Sequence, residues 1–125
     1  MPTPLEEYTA FIDALVERCW SASARWVRAK KPWPDSPENK AINDFLSTLS
    51  DSQREVLAGM LEEEKEGGFH DTLAYLNEEM TVEGLRLVRN GVEFPVEPFG
   101  TEMHYDFICR RKADPWPEPD NGDDA

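Results

Sequence analysis

The arrangement of residues 85–96 is the strongest constraint on how this chain can fold. Leu85-Arg86-Leu87-Val88-Arg89 and Val92-Glu93-Phe94-Pro95-Val96 both alternate apolar and polar side chains, and they flank Asn90-Gly91. Asn-Gly between alternating segments signals a two-residue hairpin, because a type I′ turn needs positive φ at both central residues. The register then pairs Arg89 with Val92, Leu87 with Phe94 and Leu85 with Val96, placing four apolar side chains on one face. A lone hairpin is marginal in water, so that face has to be covered by something else. Pro95, which lacks an N–H, leaves one edge of the second strand free.

The preceding residues supply the cover. Thr3-Pro4-Leu5-Glu6 is a capping box with proline at the first helical position. Leu5, Tyr8, Ile12, Leu15, Val16 and Cys19 follow at spacings of three and four, so a helix is expected to run to about Ala29 and to stop before Pro32. Ser36-Pro37-Glu38 restarts a helix whose stripe is Ile42, Phe45, Leu46 and Leu49. Ser50-Asp51-Ser52-Gln53 opens a third, with Val56, Leu57, Met60 and Leu61 turned inward and Gly67-Gly68 as its stop. A fourth covers Asp71 to about Met80, burying Leu73, Leu76 and Met80. Beyond the hairpin, Met103, Tyr105, Phe107 and Cys109 alternate with His104, Asp106, Ile108 and Arg110 and favour a third strand, with a helix capped by Thr101 as the alternative. The expected class is α+β: about four N-terminal helices packed on a small C-terminal antiparallel sheet. Residues 1–113 form a single globular domain in this reading, and 114–125 an acidic, proline-rich extended or disordered tail.

Charge narrows the function. The 125 residues include 26 acidic and 13 basic side chains, a net charge of −13. Residues 1–60 hold 9 acids and 7 bases, whereas residues 61–125 hold 17 acids and 6 bases. An acidic surface repels phosphate backbones, which argues against nucleic acid, and it speeds association with a basic protein. No run approaches the ~20 apolar residues of a membrane span, and the N-terminus lacks the basic and apolar regions of a secretory signal, so a cytoplasmic location is expected. Cys19 and Cys109 read as buried thiols, since no metal-type cysteine or histidine spacing surrounds them.

Catalytic motifs are lacking: no GxSxG, phosphate-binding glycine loop or HExxH occurs. The two histidines, His70 and His104, each have an acid nearby. With Asp71 and Asp106 they define an alternative reading, a small metal-binding protein or hydrolase, which requires the two imidazoles to meet. The simpler reading of His70 and Asp71 is that they cap the fourth helix. Arg25, Arg28, Lys30 and Lys31, interleaved with Trp20, Trp26 and Trp33, read as a helix end that docks internally, with a protein interface second and nucleic acid third. Trp116, held between Pro115 and Pro117, is an anchor for its own domain or for a partner groove.

Three stretches carry a family resemblance: Gly67-Gly68-Phe69-His70-Asp71-Thr72-Leu73-Ala74-Tyr75-Leu76, Gly84-Leu85-Arg86-Leu87, and Tyr105-Asp106-Phe107 through Asp114-Pro115-Trp116-Pro117. The chain resembles a family of small, uncharacterised, acidic bacterial domains with no assigned activity. That resemblance implies a bacterial source and a compact domain, and it transfers no functional residue. Size and acidity are similar to those of immunity proteins that neutralise toxins. The leading expectation is a non-enzymatic protein-binding module without a cofactor or metal. It would meet a basic partner through Glu62, Glu63, Glu64, Glu66, Glu78, Glu79 and Trp116. A homo-oligomer through Trp26 or Trp33 stays open.

Overall fold

Thr3 and Glu6 close the expected capping box: the Glu6 amide donates to Thr3 Oγ1 at 3.1 Å and the Thr3 amide donates to the Glu6 carboxylate at 2.8 Å. In the computed structural model, which describes residues 1–118, this box starts helix α1, Pro4–Arg18. The element order continues with α2 (Ala22–Ala29), a 3-10 turn (Pro37–Asn39), α3 (Lys40–Leu46), α4 (Asp51–Val82), strands β1 (Val88–Arg89) and β2 (Val92–Glu93), and α5 (Met103–Arg111). The class is α+β, with four helices ahead of one antiparallel hairpin. They are not the four helices that the residue pattern suggests.

The first expected helix is broken after Arg18. Ser21 takes an extended conformation and its hydroxyl accepts from the Ala24 amide at 3.0 Å, so it is the N-cap of a second helix. Gly67-Gly68 stops nothing: α4 runs through it for 32 residues. Glycine ends a helix by taking positive φ, and neither of these two does. Phe69, Leu73, Leu76 and Met80 resume burial beyond them, which offsets the ~1 kcal/mol cost of each glycine in a helix. The stop comes at Gly84, at φ +80°, where the Leu85 amide reaches back to the Glu79 carbonyl at 3.0 Å. Asp71 therefore lies inside a helix and caps nothing.

The hairpin turns at Asn90 (φ 52°) and Gly91 (φ 78°), as expected, and pairs Arg89 with Val92 and Val88 with Glu93. The Phe94 amide still donates to the Leu87 carbonyl at 2.8 Å. Pro95 then ends the ladder, so the Leu85–Val96 pair does not form. The expected third strand is instead α5. Residues 103–111 leave the sheet two-stranded and form a helix that buries Met103 and Phe107. Met103 and Phe107 lie four apart, so the same residues also suit a helical face. Thr101 is not its cap. Glu102 holds the N-cap position, and the free Met103 amide is bound by Asn77 Oδ1 at 2.8 Å.

The chain divides into two compact units: residues 1–19 with 68–118 of the described chain, and residues 20–67. In the first, Tyr8, Ile12, Cys19, Leu73, Met80, Phe94, Phe99, Met103 and Phe107 form the core, with Leu87, Val96 and Trp116 packed against it. Tyr8 and Phe11 cover the hairpin's Phe94, at ring-centroid distances of 6.5 and 5.2 Å. In the second, the core is small: Ala24, Val27, Leu46 and Ala58. There the basic helix end docks internally, with Arg28 on Glu55 and Glu62 and Lys30 on Asp51. Trp26 meets Trp33 edge-on at 5.3 Å. Both cysteines are free, Cys19 buried and Cys109 partly so. Among the described residues no helix is long and apolar enough to cross a membrane. The tail reading extends over residues 119–125, which lie outside the described residues.

Candidate functional site

Several places among the described residues are open, and two of them, each within one unit, are lined by candidate binding residues. The first is a cavity of about 280 Å³ walled by the loop before α5, by α5 itself and by residues 114–117. α5 builds it by periodicity: Met103 and Phe107 point to the core, while Asp106 and Arg110, also four apart, turn toward the cavity. Asp106 is only 3% exposed. Its carboxylate accepts from the Tyr8 hydroxyl and from Thr101 Oγ1, both at 2.5 Å. Arg110 donates to both carboxylate oxygens of Asp13, at 2.8 and 3.2 Å, and to the Asp114 carbonyl at 2.8 Å. Its guanidinium lies 4.9 Å from the Trp116 ring. Trp116 stacks on Phe99 and gives its indole N–H to Asp13. Trp116 is thus an anchor for its own unit, and it also lines the cavity.

Burial raises the Asp106 pKa above the aspartate range, opposed by the two hydroxyl donors; Glu97 pushes it up further and His104 pulls it down. Burial and Asp106 together push the Tyr8 hydroxyl far up, so it remains a donor. An acid whose folded pKa exceeds its unfolded one holds its proton more tightly when folded. Its contribution to stability therefore falls as pH rises from about 3.9, the unfolded aspartate value, through the raised folded value. It returns as the pH is lowered. Asp106→Asn is expected to remove that slope. Stability measured by urea titration of both proteins across this interval checks it, and parallel curves would contradict it.

The second place is a groove between α3 and the start of α4, about 580 Å³ in volume, lined by Phe45, Leu49, Ser52, Gln53, Val56, Leu57 and Met60. Phe45 is 56% exposed, Val56 66% and Met60 61%. The sequence pattern puts Phe45, Val56 and Met60 inside, and they are outside. Leu57 and Leu61 pack against the small core instead.

Over residues 1–118 the sequence matches DUF6547, a family of unknown function. The chain belongs to that family. No curated protein and no solved structure matches it.

In this DUF6547 member the other candidate residues are scattered. His70 and His104 do meet, with ring centroids 4.9 Å apart. His70 Nδ1 lies 3.0 Å from Asp71 Oδ1, and His104 Nε2 lies 3.8 Å from Glu102. Asp106, two residues beyond His104 on the helix, faces Tyr8 and Thr101 instead, so the quartet His70, Asp71, His104 and Asp106 is not one site. Among the described residues no three His, Cys, Asp or Glu side chains are placed to hold a metal. Of the acids, Glu63, Glu64 and Glu78 are exposed on α4. Glu62 is engaged by Arg28, Glu66 is half-buried, and Glu79 is half-buried where its carbonyl closes the end of α4. Tyr8 escapes sequence reading as a partner of Asp106 because it lies 98 residues away, and Thr101, five residues away, reads only as a possible helix cap. A signal for the groove was present: Val56, Leu57, Met60 and Leu61 span a wider arc than a small core can cover.

Proposed function

We propose that the chain is a protein-binding module whose α3–α4 groove receives an amphipathic segment of a basic partner. The observation that carries this reading is the exposure of Phe45, Val56 and Met60 on one concave apolar surface. Monomeric proteins seldom leave contiguous apolar patches open unless they bind something. A groove between two helices suits an apolar helix face, with anchors at spacings of three and four. Glu63 and Glu64 lie three and four residues past Met60, so they continue the groove stripe as exposed carboxylates. Among the described residues neither is in a salt bridge with a lysine or arginine. They supply the attraction for a basic partner, and an inhibitor or immunity role in the cytoplasm of a bacterium is one form of this function.

Val56→Asp combined with Met60→Asp alters only exposed side chains and should leave the fold intact. A partner retained by the wild type at low salt is expected to be lost, by tenfold or more in affinity, with this variant and with Glu63→Lys/Glu64→Lys, and to weaken steeply with salt. Equal retention by the groove variant would overturn the reading. So would a symmetric dimer in sedimentation that the same variant abolishes, since a second copy would then fill the groove. A second reading draws on the His70–His104 contact and on His104 Nδ1, which is buried without a hydrogen-bond partner. It offers a transition metal two imidazoles, fewer protein ligands than stable zinc sites use.

A further inference from the structure

We infer that the cavity beside Asp106 is a binding site for a small alkylammonium cation, its N–H groups on the Asp106 carboxylate and its stem along Phe99, Trp116 and Tyr105. This site is separate from the α3–α4 groove and takes a different class of ligand.

The donors and acceptors on the cavity wall decide the charge of the ligand. Arg110 has three of its five N–H groups, one on each guanidinium nitrogen, committed to Asp13 and to the Asp114 carbonyl. The Trp116 indole N–H is committed to Asp13, and Thr101 Oγ1 to Asp106. The acceptors are in surplus. A carboxylate can accept about four hydrogen bonds, and Asp106 receives two. The Asp114 side chain adds an exposed carboxylate at the rim. Such a wall suits a ligand that donates, and it offers little to phosphate or carboxylate.

The charges point the same way. Asp106 is buried, its two partners are neutral hydroxyls, and among the described residues no lysine or arginine lies within ion-pairing distance. The Arg110 charge on the same wall is already matched by Asp13. Glu97 adds further negative potential at Asp106, and His104 opposes it. A buried carboxylate without a countercharge is costly, and an ammonium group supplies what is missing. The remaining wall is aromatic: Phe99 and Trp116 stack at 5.2 Å with Arg110 over the Trp116 ring, and the exposed Tyr105 flanks them. Aromatic faces attract cations and pack against an alkyl stem. The ammonium is either that of a free amine or that of a lysine side chain on another protein.

The test is NMR titration of the isotope-labelled full chain with butylammonium and with Nα-acetyl-lysine N-methylamide, using butanol and butyrate as neutral and anionic counterparts. Both amines are expected to shift the Trp116 indole and the Thr101 and Asp106 amide resonances saturably, and the counterparts are not. Tighter binding of the capped lysine identifies a lysine side chain as the ligand; tighter binding of butylammonium identifies a free amine. Asp106→Asn should weaken binding about tenfold or more, as expected for loss of a charge-assisted hydrogen bond. Tyr105→Ala, at an exposed position, should weaken it by a smaller factor with the fold intact. Absence of saturable shifts with both amines, or equal shifts with butanol, would overturn the assignment. Neither result depends on the variants folding.

Discussion

Phe107→Ala is expected to destabilise the unit formed by residues 1–19 and 68–118 by about 3–5 kcal/mol, the usual cost of emptying a fully buried phenylalanine site. Phe107 has no exposed surface and stacks on Phe69 at 5.8 Å. It sits in the core with Ile12 and Leu73, so α5 is held to this unit largely by Phe107 and Met103. Set against the 5–15 kcal/mol typical of whole domains, such a loss is large. Its effect also reaches the cavity, because Asp106 precedes Phe107 on the same helical turn. Urea unfolding followed by far-UV circular dichroism gives the magnitude, and the Trp116 indole resonance reports whether the cavity wall loosens. A loss below about 1 kcal/mol would mean that residues 103–111 do not dock as a helix. Phe107→Leu, which keeps most of the buried surface, should recover over half of the loss.

Arg54→Met has the second-largest expected effect, in the unit of residues 20–67. Arg54, in the first turn of α4, donates to the Val27 carbonyl at 3.0 Å and to the Leu46 carbonyl at 2.6 Å. These carbonyls lie near the C-terminal ends of α2 and α3, where the helix dipole favours a cation. One side chain thus caps two helices around a core of only four buried residues, Ala24, Val27, Leu46 and Ala58. Methionine keeps the aliphatic bulk and removes both charge-assisted bonds, each worth about 1.5–3 kcal/mol. The two bonds share one side chain and do not add independently, so the expected loss is about 2–4 kcal/mol. Amide hydrogen exchange in α2 and α3 should rise in parallel, and unchanged protection there would show that the two bonds do not hold these helices. Arg54→Lys can reach one carbonyl but not both, so about half of the loss should remain.

The legible parts of this fold are those governed by neighbours in sequence. The Thr3/Glu6 and Ser50/Gln53 boxes were readable because each is closed within three residues. The Asn90-Gly91 turn was readable because its two positive φ angles exclude most other residue pairs. Gly67-Gly68 misled because a glycine pair is a stop only if the chain beyond it has nothing to bury along the same helix. Phe69, Leu73 and Met80 do have something to bury. Residues 103–109 satisfy an alternating pattern and a helical one equally, and the helix is the form that buries Met103 and Phe107 in the core.

The candidate sites were less legible than the fold. Asp106 was singled out, but with His104 as its companion, and the helix turns the two away from each other. Its actual partners, Tyr8 and Thr101, come from opposite ends of the chain. The exposed groove residues looked like core because a hydrophobic pattern marks what can be buried and says nothing of whether a neighbour arrives to bury it.

Sequence alone therefore determined the α+β class, two of the helix starts, the hairpin and its turn, and an uneven distribution of acidic charge. Each follows from local backbone preference or from summed charge, which do not depend on distant contacts. Tertiary structure decided that α4 is one helix, that residues 103–111 are helical, that Trp116 folds back on Phe99, and that Phe45, Val56 and Met60 stay uncovered. Those outcomes depend on which surfaces and hydrogen-bond partners meet across tens of residues, where small differences in burial outweigh local propensity.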